Sequence, residues 1–256
     1  MSIEHDISNF TQLLNRISDI VNLSTEEISA NITALRTILT NHTSPSSKLK
    51  LLSYGSFKEA YLPAGVLKSD EAKFVIKFVS WQNETYKEIE ILSRANAAGL
   101  DEFFVLTYYM YINSAKLPIY ALDDDTCSGE PDLTLTDICV QPIVTTEYEA
   151  GVPLPVAGCI FWTDRAREGK YDLLPLLDGS NKVSFKDACT LANVINDHIW
   201  WQMALDLYGL DKCLALCDFI HENRISDLTS DNVGYMRLSG VTYPVILDWL
   251  SWRPAG

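Results

Sequence analysis

The residues of this chain that could do chemistry lie in four separated places. The first is Leu52-Ser53-Tyr54-Gly55-Ser56-Phe57-Lys58-Glu59-Ala60-Tyr61. It reads as strand, turn and strand, with glycine and small polar residues at the turn where backbone N–H groups can approach phosphate. The second is Phe74-Val75-Ile76-Lys77-Phe78-Val79, a lysine inside an otherwise apolar strand. A buried ammonium is costly without an anionic partner, so packing alone gives no reason for Lys77. The third is Lys87-Glu88-Ile89-Glu90-Ile91-Leu92-Ser93 on the following helix, where Glu88 precedes apolar residues and is placed to face inward toward Lys77. The fourth is Ile225-Ser226-Asp227-Leu228-Thr229-Ser230-Asp231-Asn232, followed across a hairpin by Val245-Ile246-Leu247-Asp248-Trp249. Phoshoryl transfer needs one carboxylate to orient the attacking hydroxyl, and an amide and a second carboxylate to hold metal on nucleotide phosphates. Asp227, Asn232 and Asp248 are of those types in that order.

The elements that must carry these residues follow from periodicity. Phe10, Leu13, Leu14, Ile17, Ile20 and Val21 recur at helical spacing. Ser24-Thr25-Glu26-Glu27 is a capping box opening a second helix through Leu39. Polar His42–Lys48 with Pro45 reads as a linker. Runs 50–61, 74–79, 103–112 and 138–144, rich in Val, Ile, Phe and Tyr, read as strands, with one helix from about 84 to 98 among them. The tract 114–137, with Asp123-Asp124-Asp125, is a long excursion between two strands. From Ser184 the pattern is helical to about Gly209 and again from 210 to 221, and a hairpin closes the chain, 233–238 and 241–247 around Ser239-Gly240. The fold class is therefore α+β in two lobes. The divisions expected are an N-terminal helical region 1–45, a sheet lobe with one helix 48–147, and a mainly helical lobe 148–256.

Composition narrows the function classes. The chain has 256 residues, 47% hydrophobic and 21% charged, with 12 Gly and 10 Pro, which excludes collagen-like, disordered and disulfide-scaffold proteins. Its net charge of −14 disfavours electrostatic wrapping of nucleic acid or an anionic membrane. Cys127, Cys139, Cys159, Cys189, Cys213 and Cys217 include no C-x-x-C pair, so reduced thiols are expected. The start lacks a signal peptide's basic and apolar regions, and no apolar stretch approaches membrane-spanning length; a cytoplasmic location is expected.

Taken together, the four features resemble the protein-kinase-like fold over about residues 48 to 250. In that pattern Gly55-Ser56-Phe57 looks like the glycine-rich loop and Val75-Ile76-Lys77 like the strand bearing the ATP-phosphate lysine. The resemblance implies Glu88 as the ion-pair partner of Lys77, Asp227 as the catalytic-loop aspartate, and Asn232 with Asp248 as the metal ligands. Ile143 to Glu147, Ile143 and Thr145 in particular, would be the strip that meets adenine. ATP and Mg²⁺ are the implied cofactors.

The departures are Ser53 and Lys58 in place of the first and third loop glycines, Ile225-Ser226 before Asp227, Thr229 where a lysine is usual, and Asp248-Trp249-Leu250 for Asp-Phe-Gly. Few residues follow Asp248, which implies a truncated second lobe without an activation segment. In this, and in its added N-terminal helical hairpin, the chain is similar to the early serine/threonine protein kinases of short-tailed lytic phages, whose partners are host proteins. Two alternatives are carried with it: a pseudokinase-type interaction module binding a host protein, and an aminoglycoside-type small-molecule kinase whose acceptor pocket would use Glu147, Glu149 and Asp164. Simpler roles suit other residues: turn chemistry for Asp231, a helix end for His221, buried packing for Trp162, Trp200, Trp201, Trp249 and Trp252, and a surface loop for Arg165, Arg167 and Lys170.

Overall fold

The computed structural model describes residues 2–54, 58–80, 82–118, 134–145, 198–226, 228 and 232–251. They form an α+β protein with antiparallel sheets. The chain divides into two compact units, Met1–Ile89 with Leu106–Ile143, and Glu90–Val105 with Val144–Gly256.

The first unit opens with α1 (Ile3–Val21) and α2 (Thr25–Asn41). Asn22 ends α1 in the left-handed region at φ 53°, its N–H returning to the Ser18 carbonyl. The expected capping box is present: the Glu27 N–H donates to Ser24 Oγ at 3.2 Å and the Ser24 N–H to Glu27 Oε2 at 2.7 Å. The linker contains a single 3-10 turn, Pro45–Ser47. Next come β1 (Lys50–Tyr54), β2 (Lys58–Leu62), β3 (Phe74–Val79), α3 (Gln82–Ala97), β4 (Tyr108–Tyr111), the short pair β5 (Leu117–Pro118) and β6 (Thr134–Leu135), and β7 (Asp137–Pro142). The main sheet has the order β1-β2-β3-β7-β4.

Its register sorts side chains onto two faces, because directly paired residues point the same way and neighbours along a strand point oppositely. One face carries Tyr61, Ile76, Val140 and Tyr108 in one row and Glu59, Phe78, Ile138 and Met110 in the next. Its apolar members pack with Phe10, Leu13, Leu14 and Ile17 of α1 and Leu35, Ile38 and Leu39 of α2 in one buried cluster. The helical hairpin is thus part of this unit's core. The opposite face carries Ala60, Lys77, Cys139 and Tyr109, then Lys58, Val79, Asp137 and Tyr111.

Two buried polar residues fasten the hairpin. Asp6 is fully buried and accepts the Asn113 N–H at 3.1 Å and the Ser114 N–H at 2.8 Å, just beyond β4. Asn31 donates to the Glu27 carbonyl and accepts the Ala64 N–H, both at 2.8 Å, tying α2 to the segment after β2.

The second unit holds β8 (Val144–Thr145), α4 (His198–Tyr208), α5 (Leu210–Glu222), β9 (Ile225–Ser226), β10 (Val233–Leu238), β11 (Val241–Ile246) and β12 (Leu250–Ser251). β11, β10 and β8 form one sheet, and β9 pairs with β12. The β10–β11 turn has φ 51° at Ser239 and φ 82° at Gly240, the left-handed pair a two-residue hairpin of matching twist requires. The core gathers Phe103, Phe104, Trp200, Trp201, Leu216, Ile220 and Trp249. The Trp200 indole N–H donates to the Val245 carbonyl at 3.1 Å.

Two expectations need correction. The 103–112 run is not one strand: Asp101–Phe103 is a 3-10 turn, and only Tyr108–Tyr111 joins the sheet. The turn removes Phe103 from any strand pairing, Phe103, Phe104 and Val105 are buried, and Phe104 lies edge-on to Trp249 at 5.2 Å. The 138–144 run likewise splits after Pro142, β7 lying in the first unit and β8 in the second. Cys139, Cys213 and Cys217 are buried free thiols, and burial pushes Cys213 up to about 12. Among the described residues no helix is long and apolar enough to cross a membrane.

Replacing Asp6 by Ala removes the acceptor of two backbone amides. We expect a loss of about 1–3 kcal/mol in urea unfolding, largely recovered by Asp6→Asn. Equal stability of the wild-type and alanine proteins would rule out this fastening role.

Candidate functional site

Lys77 sits in the middle of β3, every residue of which is buried, and is itself 8% exposed. Glu88, one turn along α3 from Thr85, is 7% exposed and faces the same side of the sheet as Lys77. The inward orientation expected of Glu88 is therefore present, whereas its neighbour Ile89 is exposed. Its carboxylate is engaged at both oxygens: Lys58 Nζ forms an ion pair with Oε1, and the Tyr109 hydroxyl donates to Oε2 at 2.9 Å. Lys58, noted in the sequence only as a departure from a glycine pattern, is thus part of the cluster.

Beside it, the Thr85 hydroxyl donates to Asp137 Oδ2 at 2.7 Å. Asp137 is fully buried, and its Oδ1 has no hydrogen-bond partner among the described residues. Burial raises the Asp137 carboxyl above its ordinary value, the Thr85 bond offsetting only part of this. The Tyr111 hydroxyl is also pushed up to about 12, first by burial and then by Tyr86 and Asp137 nearby.

The metal-type residues belong to the second unit. The β10–β11 register pairs Val233 with Ile246, so Asn232 and Leu247 continue the hairpin at its open end. There the Asn232 carbonyl accepts two amides, from Leu247 at 2.8 Å and from Asp248 at 3.1 Å. This clasp holds the backbones of Asn232 and Asp248 side by side, with both residues half-buried. Asp248 Oδ1 accepts the Trp249 N–H at 2.9 Å, and Trp249 is buried in the core, which fixes the chain immediately after the aspartate. An amide oxygen and a carboxylate on adjacent backbones suit a hard divalent cation. Among the described residues there is no cluster of three His, Cys, Asp or Glu with metal-ligand placement.

In the adenine-strip candidate, the Ile143 N–H donates to the Lys73 carbonyl at 3.1 Å. Thr145 is exposed and pairs with Tyr235 on β10, its hydroxyl donating to the Tyr235 carbonyl at 3.3 Å. β8 lies so close to β10 that a Cβ at Gly234 would stand 2.5 Å from Val144 Cγ1 and 2.6 Å from the Thr145 carbonyl oxygen.

Gly55, Ser56, Phe57 and Asp227 lie outside the described residues, as do Asp123–Asp125, Glu147, Glu149, Trp162, Asp164, Arg165, Arg167, Lys170, Asp231 and Trp252. Trp200, Trp201 and Trp249 are buried as expected. Lys58, Thr85, Tyr109 and Asp137 were not anticipated as site residues. Lys58 and Ala60 lie two apart on β2, so once Ala60 is known to pair with Lys77 both lysines must share a face. No family model, curated protein or solved structure matches the chain.

Two predictions follow from this geometry. Because its raised value makes folded Asp137 hold a proton more tightly than the unfolded chain does, wild-type stability should fall as pH rises from 3.8 through that raised value. Asp137→Asn should lack this slope, so urea titrations should show the variant gaining on the wild type across the window; a difference independent of pH would dismiss the assignment. Gly234→Ala should force β8 from β10 and cost about 1–3 kcal/mol, measured by thermal or urea unfolding.

Proposed function

We propose that the chain is an ATP- and Mg²⁺-dependent phosphotransferase of protein-kinase-like fold, with a serine or threonine hydroxyl of a host protein as acceptor. The observation that carries this reading is the Asn232 clasp, which brings the two residues of metal-binding type together at the open end of one hairpin. A lysine buried mid-strand, with a buried glutamate from the next helix on the same sheet face, supports it.

In this reading Lys77 positions nucleotide phosphates and Glu88 organises the cations of that face. Asn232 and Asp248 supply oxygens to the metal, whose chemistry is to neutralise charge developing on the phosphates. Asp227 orients the acceptor hydroxyl and takes up its proton, and Ile143 and Thr145 meet the adenine. The Gly55-Ser56-Phe57 turn contributes backbone N–H groups to the phosphates.

One observation favours a pseudokinase-type binding module instead. Both oxygens of Glu88 are engaged, by Lys58 and Tyr109, which a purely structural network would also produce.

Incubation of the protein with radiolabelled ATP and Mg²⁺, alone and with a cytosolic extract, separates the two. Wild type should label protein, and Asp227→Ala should lower transfer by about 10²-fold or more while nucleotide binding persists. Lys77→Ala should weaken both. Undiminished transfer by Asp227→Ala would overturn the catalytic assignment, and ATP binding without any transfer by the wild type would favour the module.

A further inference from the structure

The main sheet has two edge strands, and they end it differently. β1 is interrupted by a bulge between Leu51 and Ser53 and carries Lys50, two devices that keep an edge from pairing further. β4, Tyr108-Tyr109-Met110-Tyr111, pairs with β7 in unbroken register and holds no charged residue, proline or bulge. Just beyond it the Ile112 N–H donates to the Thr136 carbonyl at 2.7 Å, on the β7 side. Backbone directions alternate along a strand, so the N–H and carbonyl of Tyr111 point to the outer edge. The Tyr111 carbonyl accepts the Asn113 side-chain amide at 3.3 Å, and the Tyr111 N–H has no partner among the described residues.

α1 runs beside that edge. Asn9, Gln12, Leu13 and Arg16 form one stripe of the helix, and with Met110 and Tyr111 they line a groove of about 260 Å³, the size for a side chain or two rather than for a helix. Neither this stripe nor β4 contains a carboxylate. The Arg16 guanidinium lies 3.9 Å from the centre of the Tyr108 ring, on the sheet face that α1 covers. Arg16 is exposed and makes no hydrogen bond or ion pair among the described residues, while its charge is permanent. Gln12, one turn before it, is exposed too and has no hydrogen bond among the described residues. An unblunted strand edge thus lies beside a cation whose only partner is a ring.

We infer that the β4 edge is a docking site for an extended peptide segment of another protein, which adds to the main sheet as a further strand and offers a carboxylate to Arg16. Added antiparallel, as every pair of that sheet is, the peptide takes up the outward N–H of Tyr111. The peptide residue opposite Tyr108 points its side chain to the α1 side, beside the Tyr108 ring and within reach of Arg16. Asp or Glu at that place gives the guanidinium a charge-assisted hydrogen bond, and the residue opposite Met110 meets Gln12. A single carboxylate on a short segment answers to the cation beside it, because exposed charge elsewhere is screened beyond about 8 Å. A second copy of this chain fits less well: β4 against β4 brings together two grooves without a carboxylate, on molecules that each carry −14. The inference is independent of the ATP-dependent reading above.

The test is an amide chemical-shift titration of the full chain, wild type and Arg16→Gln, with three synthetic probes. These are acetyl-Thr-Val-Glu-Val-Thr-amide, the same peptide with lysine for glutamate, and the glutamate peptide N-methylated at both valines. The glutamate peptide should bind wild type with shifts at Tyr111 and its neighbours, and the lysine peptide about tenfold more weakly. Arg16→Gln, a change at an exposed helix position, should bind the two peptides alike. N-methylation should abolish binding to both proteins, because it removes the peptide's backbone donors. No binding of the glutamate peptide at millimolar concentration would overturn the proposal, as would binding that survives N-methylation or a glutamate preference that survives Arg16→Gln. Sedimentation showing a dimer that the glutamate peptide fails to displace would also overturn it, and would assign the edge to a second copy.

Discussion

Burial on both faces of β3 and β7, two inner strands of the main sheet, is the constraint from which the first unit follows. All six residues of β3 and all six of β7 are withdrawn from water, so neither strand can dispose of a polar side chain by pointing it at solvent. The period-2 alternation then leaves one choice per residue, toward α1 and α2 or toward α3. Aliphatic and aromatic residues occupy the first direction, and each large one withdrawn there contributes about 1.5–3 kcal/mol. Lys77, Cys139, Asp137 and Gln141 occupy the second, and must find partners on α3 or neighbouring strands. A one-residue slip in register would exchange the two sets, setting charged groups against the helical hairpin, so the apolar face enforces the polar one.

The polar face is consequently a place where the fold tolerates imperfect satisfaction. Asp137 has one bonded oxygen and one without a partner among the described residues, and the Gln141 amide nitrogen is in the same position. Buried polar groups left so cost free energy that the apolar side must offset. By contrast, the polar residues under the hairpin are well provided: Asp6 receives backbone amides at both oxygens, Asn31 donates and accepts, and Glu59 accepts from the Tyr61 hydroxyl at 2.7 Å. Asp6, Asn31 and Glu59 are thus bonded on the hairpin side, whereas Asp137 and Gln141 on the α3 side each keep a buried atom without a partner among the described residues.

Much of this was legible in the sequence because it is written in local patterns. The α1 and α2 periodicity, the Ser24–Glu27 capping box, the apolar β3 interrupted by Lys77, and the hairpin around Ser239-Gly240 each depend on residues within a few positions of one another. The Asn232 and Asp248 pair was legible for the same reason, since a two-residue turn fixes which residues meet at the hairpin's open end. What was not legible depended on pairing between distant strands. That Lys58 shares a face with Lys77 needs the β2–β3 register, and that Asp137 meets Thr85 needs β7 beside β3. The Phe103–Val105 run misled because apolar β-forming residues look alike whether they alternate in a sheet or are buried consecutively in a core.

Net charge and local charge also have to be kept apart. Exposed charges are screened beyond about 8 Å at physiological ionic strength, while partly buried groups are screened much less. A total of −14 spread over the surface therefore bears on long, multi-phosphate contacts, as in nucleic-acid wrapping, and bears little on what two lysines can hold at short range. Lys58 and Lys77, largely withdrawn from water on the α3 side, act on their neighbours at short range whatever the total charge of the chain. A chain total is thus a poor guide to the charge that a small ligand would meet at a buried sheet face.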